Sequence, residues 1–300
     1  MDDTSRARQF WENELVAPVH SGWMHYPEVR QHIIEQIGVG YGWPMDWLLH
    51  HLNGRVFERA LSIGCGTGAL ERDLISRGIC KRIDAFDGAI ASLAIAREEA
   101  QQLPIRYFAA DFNRPALPRG VYDAVFFHQS LHHVARLERL LREVMLALKP
   151  DGRLYLDEYV GPSRNWWTDA RYTRQRELFR QLVPEPARLS KELPFPIVYG
   201  DPSEAVQSGA IRSQLRVGFD VLAERGYGGN LLSLMLPAVW WEHADADQLQ
   251  RIIDAEKAEL ARGAEPYYML ILARPKRRRA LASLRYIVAP KLKRIGRMFR

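Results

Sequence analysis

Cysteine is scarce: the 300 residues include only Cys65 and Cys80, fifteen apart and in no CxxC pair. That count excludes a disulfide framework and a cysteine-rich zinc site. Also missing is any uninterrupted apolar run near the roughly 18–20 residues needed to span a bilayer. The opening MDDTSRARQFWENEL has no basic head followed by an apolar stretch, so a cytoplasmic protein is expected. Acidic residues are absent from 274–300, where eleven Lys or Arg fall; the whole-chain charge of +6 therefore leaves residues 1–273 at −5. The body is mildly acidic, and the basicity belongs to a tail. With 47% hydrophobic and 26% charged residues, the chain has ordinary globular usage, which argues against a disordered or fibrous protein.

What is present falls into five stretches. Residues 1–54 form a polar and aromatic opening with Trp11, Trp23, Trp43 and Trp47, read as two or three short helices covering the main fold. Apolar positions in VRQHIIEQI recur at helical spacing, and Pro27 suits a first helical turn. From 55 to 160 the pattern becomes short apolar runs, FERALSI (57–63), KRIDAFD (81–87), IRYFAA (105–110), YDAVFFH (122–128) and GRLYLDEY (152–159), separated by amphipathic stretches. This alternation implies βαβ units, hence an α/β fold with a mostly parallel sheet and helices on both faces. Pro150 and Asp151-Gly152 are expected to end the helix over 135–149 and turn into the fifth strand. Residues 161–217, rich in proline, read as an insertion of short helices and loops between strands five and six. The sheet resumes over 218–274, after which 275–300 is the basic tail.

The run ALSIGCGTGAL puts Gly64, Gly66 and Gly68 where a buried strand must turn sharply into a helix. Glycine there permits positive φ and close approach of a ligand to the backbone. The spacing is GxGxG with no GK[ST] following, so it matches neither the dinucleotide fingerprint nor a Walker loop. The second strand ends at Asp87, where a carboxylate can accept both hydroxyls of a ribose; the third leads into Asp111, suited to an adenine exocyclic amine. Together these residues outline a nucleoside pocket at the carboxyl edge of an open sheet.

ALSIGCGTGAL, FDGAIASLAIAREEA, AADF, YDAVFFHQSLHHV and LREVMLALKPDGRLYLDEY, in this order, resemble the successive motifs of class I S-adenosylmethionine-dependent methyltransferases. The resemblance covers about residues 55–160. It implies a Rossmann-like seven-stranded sheet whose last strand is antiparallel, and S-adenosyl-L-methionine as cofactor. By matching positions, Gly64, Cys65, Gly66 and Gly68 would wrap the methionine moiety, Asp87 would hold the ribose, and Asp111 with Phe112 would bind adenine. Gly88 stands where the family often has a bulky apolar residue, which leaves Ile90 or Phe112 to pack against the adenine.

In-line methyl transfer needs neither a metal nor a covalent enzyme intermediate, and a hydroxyl acceptor gains from a base. Bases cluster after the fourth strand. His128 and His132 are the candidates for proton removal, Glu158 could accept a substrate hydroxyl, Asp157 could cap a neighbouring helix, and His133 is expected to pack or fix the loop. A metal held by His128, His132 and His133 is the sharper alternative; no metal site is expected.

Trp166, Trp167, Arg171, Tyr172, Arg174 and Arg176 in the insertion suit rings and anionic groups, and equally an amphipathic helix with a solvated basic face. The expected reaction is O-methylation of a small molecule or a membrane-associated glycan or lipid precursor. The alternatives are an RNA or protein methyltransferase, and a non-catalytic adenosyl-ligand-binding module. In the tail, Leu281, Leu284 and Val288, then Leu292, Ile295 and Phe299, recur among cations. That pattern favours an anionic membrane surface over nucleic acid as its partner, and with it a peripheral position on the inner face of the membrane.

Overall fold

The apolar runs after residue 56 pair side by side into one seven-stranded sheet in the order β3-β2-β1-β4-β5-β7-β6. The structure, a computed structural model, describes residues 3–14, 22–164, 169–195 and 200–276. The strands are β1 (Ala60–Ile63), β2 (Ile83–Asp87), β3 (Ile105–Ala109), β4 (Tyr122–His128), β5 (Leu148–Tyr159), β6 (Phe219–Gly228) and β7 (Tyr268–Pro275). All neighbours from β3 to β5 run parallel, and β7 is antiparallel to both β5 and β6. The expected fold is therefore present.

Before the sheet come α1 (Asp3–Glu14), α2 (Pro27–Ile37) and α3 (Pro44–Leu52). Between the strands lie α4 (Ala69–Ser76), α5 (Ile90–Ala100), α6 (Leu137–Ala147), α7 (Asp169–Leu182), α8 (Ile211–Gly218), α9 (Leu232–Met235) and α10 (Gln248–Ala261). Successive strand residues point to opposite faces. Ala124 and Phe126 thus join the core under α2, α3, α5 and α10, while Val125 and Phe127 join the one under α6 and α8. The α6 face is explicit in its sequence: Leu137, Leu140, Leu141, Val144 and Met145 are all fully buried at the spacing of one helical stripe. Among the described residues no helix is long and apolar enough to cross a membrane.

Two boundaries differ from expectation. β1 starts at Ala60 because the chain before it is drawn elsewhere: Phe57 makes an isolated bridge to Cys80, and Arg59 N donates to the Asp123 carboxylate. The helix ahead of Pro150 closes at Ala147, and Leu148 already pairs with Tyr122. The register then jumps, with Ala124 opposite Arg153, so Lys149 to Gly152 form a bulge rather than a turn between elements.

Of the aromatic opening, Trp23 and Trp47 are buried in the core and dock the N-terminal helices. A buried carboxylate fastens α2 to the far end of the fold: Glu256 of α10 lies 3.1 Å from His32 Nε2 and accepts the N–H groups of Gly229, Leu231 and Leu232. The insertion arginines serve similar surface joints. Arg171 pairs with Glu265, Arg174 with Glu259, and Arg176 with Glu192. Trp166, Trp167 and residues 277–300 lie outside the described residues.

Removing a buried acceptor strands every donor that depended on it. Glu256→Ala is expected to cost about 3–5 kcal/mol of folding stability, read from urea unfolding followed by circular dichroism. Glu256→Gln, which keeps one acceptor oxygen, should cost less.

Candidate active site

The carboxyl ends of β1, β2 and β4 open onto a cavity of about 420 Å³. Its floor is the turn from β1 into α4. Gly64 adopts φ +71°, and a Cβ there would lie 2.5 Å from the Ser130 Cβ, so no other residue fits without displacing the turn after β4. Gly66, at φ +51°, has nothing within 4 Å of where a Cβ would be and presents bare backbone to the cavity. Gly68 does not line the cavity. It packs under Tyr107 and starts α4, so its expected part in wrapping a ligand gives way to helix-on-sheet packing.

Two loop carboxylates are oriented by backbone donors. Asp87 accepts Gly66 N at 2.9 Å on Oδ2 and Ala89 N at 2.8 Å on Oδ1. Each oxygen keeps a lone pair for a further donor. Asp111 accepts Asn113 N at 2.8 Å, and the Asn113 side chain in turn accepts Ala135 N and Arg136 N, tying the loops after β3 and β4 together. Asp87, Gly88, Asp111, Phe112 and Cys65 all border the cavity, whereas Ile90 points half-exposed elsewhere. Burial pushes the Cys65 thiol well above its usual range, so it stays protonated.

Glu71 was not singled out by its motif. It lies on the buried stripe of α4 with Leu74, is fully buried, and borders the cavity; neither oxygen completes a hydrogen bond of normal geometry. Burial raises its pKa. A charged residue three positions before a core leucine was the available signal. Trp11 of α1 also borders the cavity, and its indole N–H donates to Asp201.

The turn after β4 separates the basic candidates. Gln129 takes φ +51°, and its backbone N–H donates to Asp157 O. Beyond it, Glu158 is wholly buried and accepts Ser130 N, Leu131 N and His132 Nδ1, the last at 2.8 Å. Glu158 does not border the cavity and has no face left for a substrate hydroxyl, so it is a loop clamp. His132 is also walled off. Burial alone would lower its pKa, but Glu158, Glu204 and Asp201 outweigh that and hold it near 9, leaving it an imidazolium rather than a free base at neutral pH.

His128 and His133 do border the cavity. His128 is half exposed, with Nε2 3.6 Å from Asp157 Oδ2. Asp157 caps no helix: it is buried and accepts the Tyr227 hydroxyl at 2.6 Å. His133, expected only to fix the loop, does so through Ser203 Oγ at 3.1 Å yet also forms cavity wall edge-on to Trp11. Burial, then the neighbouring His132, lower its pKa well below the usual histidine value.

The sheet order, the glycine turn and the acids at the ends of β2 and β3 come together at one edge of an open α/β sheet. Residues 61–156 match the family described as a methyltransferase domain. This chain is similar to the demethylmenaquinone methyltransferase of Thermus thermophilus, 34% identical over 109 residues, covering 36% of this chain and 50% of the relative. The ubiquinone biosynthesis O-methyltransferase of Aeromonas salmonicida is 28% identical over 116 residues, covering 37% and 48%. The chain thus spans about half the length of these curated relatives. Among solved structures, the [4+2]-cyclase SpnF aligns with a TM-score of 0.52 at 16% identity, covering 91% of this chain and 97% of that one. The Haemonchus contortus phosphoethanolamine N-methyltransferase 2 aligns at 0.51 and 15% identity, covering 90% and 60%. Both show the fold alone.

A loop clamp and a catalytic carboxylate differ in what their loss does. Glu158→Ala should cost about 3–5 kcal/mol of stability, measured by thermal and denaturant unfolding. A purely catalytic role would leave the unfolding midpoint unmoved.

Proposed function

We propose that this chain is an S-adenosylmethionine-dependent methyltransferase acting on a small-molecule acceptor, with His128 as the base that relieves a hydroxyl acceptor of its proton. The observation that carries the reading is the charge pattern of the cavity. Glu71 offers a buried carboxyl group whose oxygens complete no hydrogen bond of normal geometry, Asp87 and Asp111 are oriented by backbone donors, and Gly66 exposes bare backbone. Burial raises the Glu71 pKa, and a cationic ligand beside it would favour the ionised form, which suits a cofactor bearing both an ammonium and a sulfonium. The donor set fits that group: Asp87 for ribose hydroxyls, Asp111 and Phe112 for adenine, and the Gly64–Gly66 turn with Cys65 for the methionine portion.

When bound, the cofactor supplies an electrophilic methyl group. The chain's own part is to bind, orient and move one proton. With His128 Nε2 beside Asp157, Nδ1 is the nitrogen left to accept the acceptor's proton, and the buried Asp157 carboxylate then stabilises the imidazolium that forms. Trp11 and His133 wall the cavity. The quinone-related names of the two sequence relatives support a small aromatic acceptor and, in one of them, transfer to oxygen. The insertion arginines no longer argue for a glycan or phosphate-bearing acceptor, being paired with glutamates. Association of the basic tail with an anionic membrane stays part of the proposal. The described chain ends at Lys276, where β7 meets the start of β6 at the sheet edge opposite the cavity, so a surface-bound tail would leave the site open.

Calorimetry with S-adenosylmethionine and S-adenosylhomocysteine tests the pocket. Asp87→Ala is expected to weaken both about 10–100-fold, the loss of one or two charge-assisted hydrogen bonds. Glu71→Gln should weaken the sulfonium form more than the neutral thioether. Unchanged affinity in both variants would remove the assignment. With an accepted hydroxyl substrate, His128→Ala should lower turnover about 10²–10⁴-fold while cofactor affinity holds.

A further inference from the structure

Behind the His133 wall of the cavity, two histidines and a glutamate converge from segments far apart in sequence. His132 Nε2 lies 3.8 Å from Glu204 Oε2, and His133 Nδ1 lies 3.8 Å from the same oxygen. The three donor atoms fall within 4.8 Å of one another. The histidines sit on the turn after β4, whereas Glu204 comes from the insertion. This is not the three-histidine set weighed from the sequence: His128 points to Asp157 instead.

We propose that His132, His133 and Glu204 bind a divalent transition-metal ion of the zinc type, which clasps the insertion to the turn after β4.

Orientation is the first support. His132 Nδ1 donates to the buried Glu158 at 2.8 Å, which fixes the ring and leaves Nε2 directed at Glu204. A carboxylate behind a ligating imidazole is the usual way such rings are held. The second support is charge. Three carboxylates, Glu158, Asp201 and Glu204, surround the two rings, and Glu158 and Asp201 are 0% and 1% exposed. Asp201 Oδ2 lies 3.4 Å from His133 Nδ1, a fourth donor close to the same place. An ion at His132 Nε2 takes the place of a ring proton and sets its own charge among those carboxylates. The guanidinium of Arg164 donates to Pro202 O rather than to any of these carboxylates.

Geometry is the third. Tetrahedral zinc with bonds of about 2.0–2.1 Å holds its donors roughly 3.3–3.4 Å apart. The 3.8 Å separations close to that value with a small rotation of Glu204, whose side chain is 29% exposed. Two imidazoles with carboxylate oxygens select zinc, cobalt, nickel or ferrous iron over magnesium or calcium. Chain connectivity gives the ion its consequence: Val206 N donates to His132 O, and Ser203 Oγ meets His133, so the insertion already touches the turn at two points. An ion there would lock the pair and stiffen one wall of the cavity.

Tag-free full-length protein, stripped with chelator and dialysed, is titrated with zinc by calorimetry and with cobalt by visible absorption, with magnesium as control. One zinc per chain is expected, with cobalt d–d bands of a four-coordinate nitrogen and oxygen site and a raised melting temperature. His133→Phe and Glu204→Gln should each weaken zinc at least about tenfold while keeping the circular dichroism of the parent. Absence of zinc binding overturns the site, as does zinc that binds equally well to both variants, which places it on other histidines. None of these readouts requires methyl transfer, so they stand or fall apart from the proposed activity.

Discussion

The turn after β4 is held by one buried carboxylate. Glu158 accepts two successive backbone N–H groups and one imidazole, and so dictates where residues 128–133 lie. Ser130 consequently rests against Gly64, its hydroxyl donating to Ile63 O, and fixes the spacing between the ends of β1 and β4. That spacing is the width of the cavity. The same clamp turns His132 away from the cavity and His133 into its wall. A group that looks like a catalytic acid therefore governs the site by positioning others, and its burial is what lets three donors share it.

Around this clamp the site divides into halves with different origins. The cofactor half consists of strand ends and the loops leaving them, where parallel strands deliver their carboxyl termini to one edge. Its polar groups are fixed before any ligand arrives: Asp87 by two backbone donors, Asp111 by one. Glu71 is the exception, a carboxyl group whose pKa burial raises and whose oxygens complete no hydrogen bond of normal geometry. The half opposite is assembled from the N-terminal helix and the insertion. Trp11 reaches Asp201, Asp201 accepts from Ser203, and Ser203 meets His133, so both covers meet on a single wall.

These origins explain what the sequence made legible. The sheet, the glycine turn, Asp87 and Asp111 follow from local rules, since strand periodicity and the residues ending each strand place them without reference to distant chain. Gly68 lies off the cavity lining because it packs against Tyr107, which comes from another strand. His132, His133 and Glu158 depended on the left-handed Gln129 and on the Glu158 clamp, neither of which has a sequence signature: one residue of rotation exchanges which histidine faces the cavity. Glu204 and Asp201 come from a proline-rich insertion whose path no periodicity describes. The bulge at Lys149–Gly152 likewise looked like an ordinary helix exit, because proline and Asp-Gly mark turns whether or not a strand has already begun.

The limits of the alignment with relatives then acquire a physical meaning. Similarity by family covers 61–156, which contains the glycine turn and both acids, and stops short of the Glu158 clamp and of Trp11, Asp201, Ser203 and Glu204. The matched stretch is thus the part that carries the strand-end turn and acids, and folds of this shape occur in a protein named as a cyclase as well as in one named as a methyltransferase. What decides the acceptor must be sought where the covers meet the turn after β4. There a half-exposed His128, backed by the buried Asp157 and Tyr227, faces a wall built from segments particular to this chain. On the proposed reading, a hydroxyl entering between them would meet a His128 already aligned by the sheet, while its shape would be judged by Trp11, His133 and the insertion.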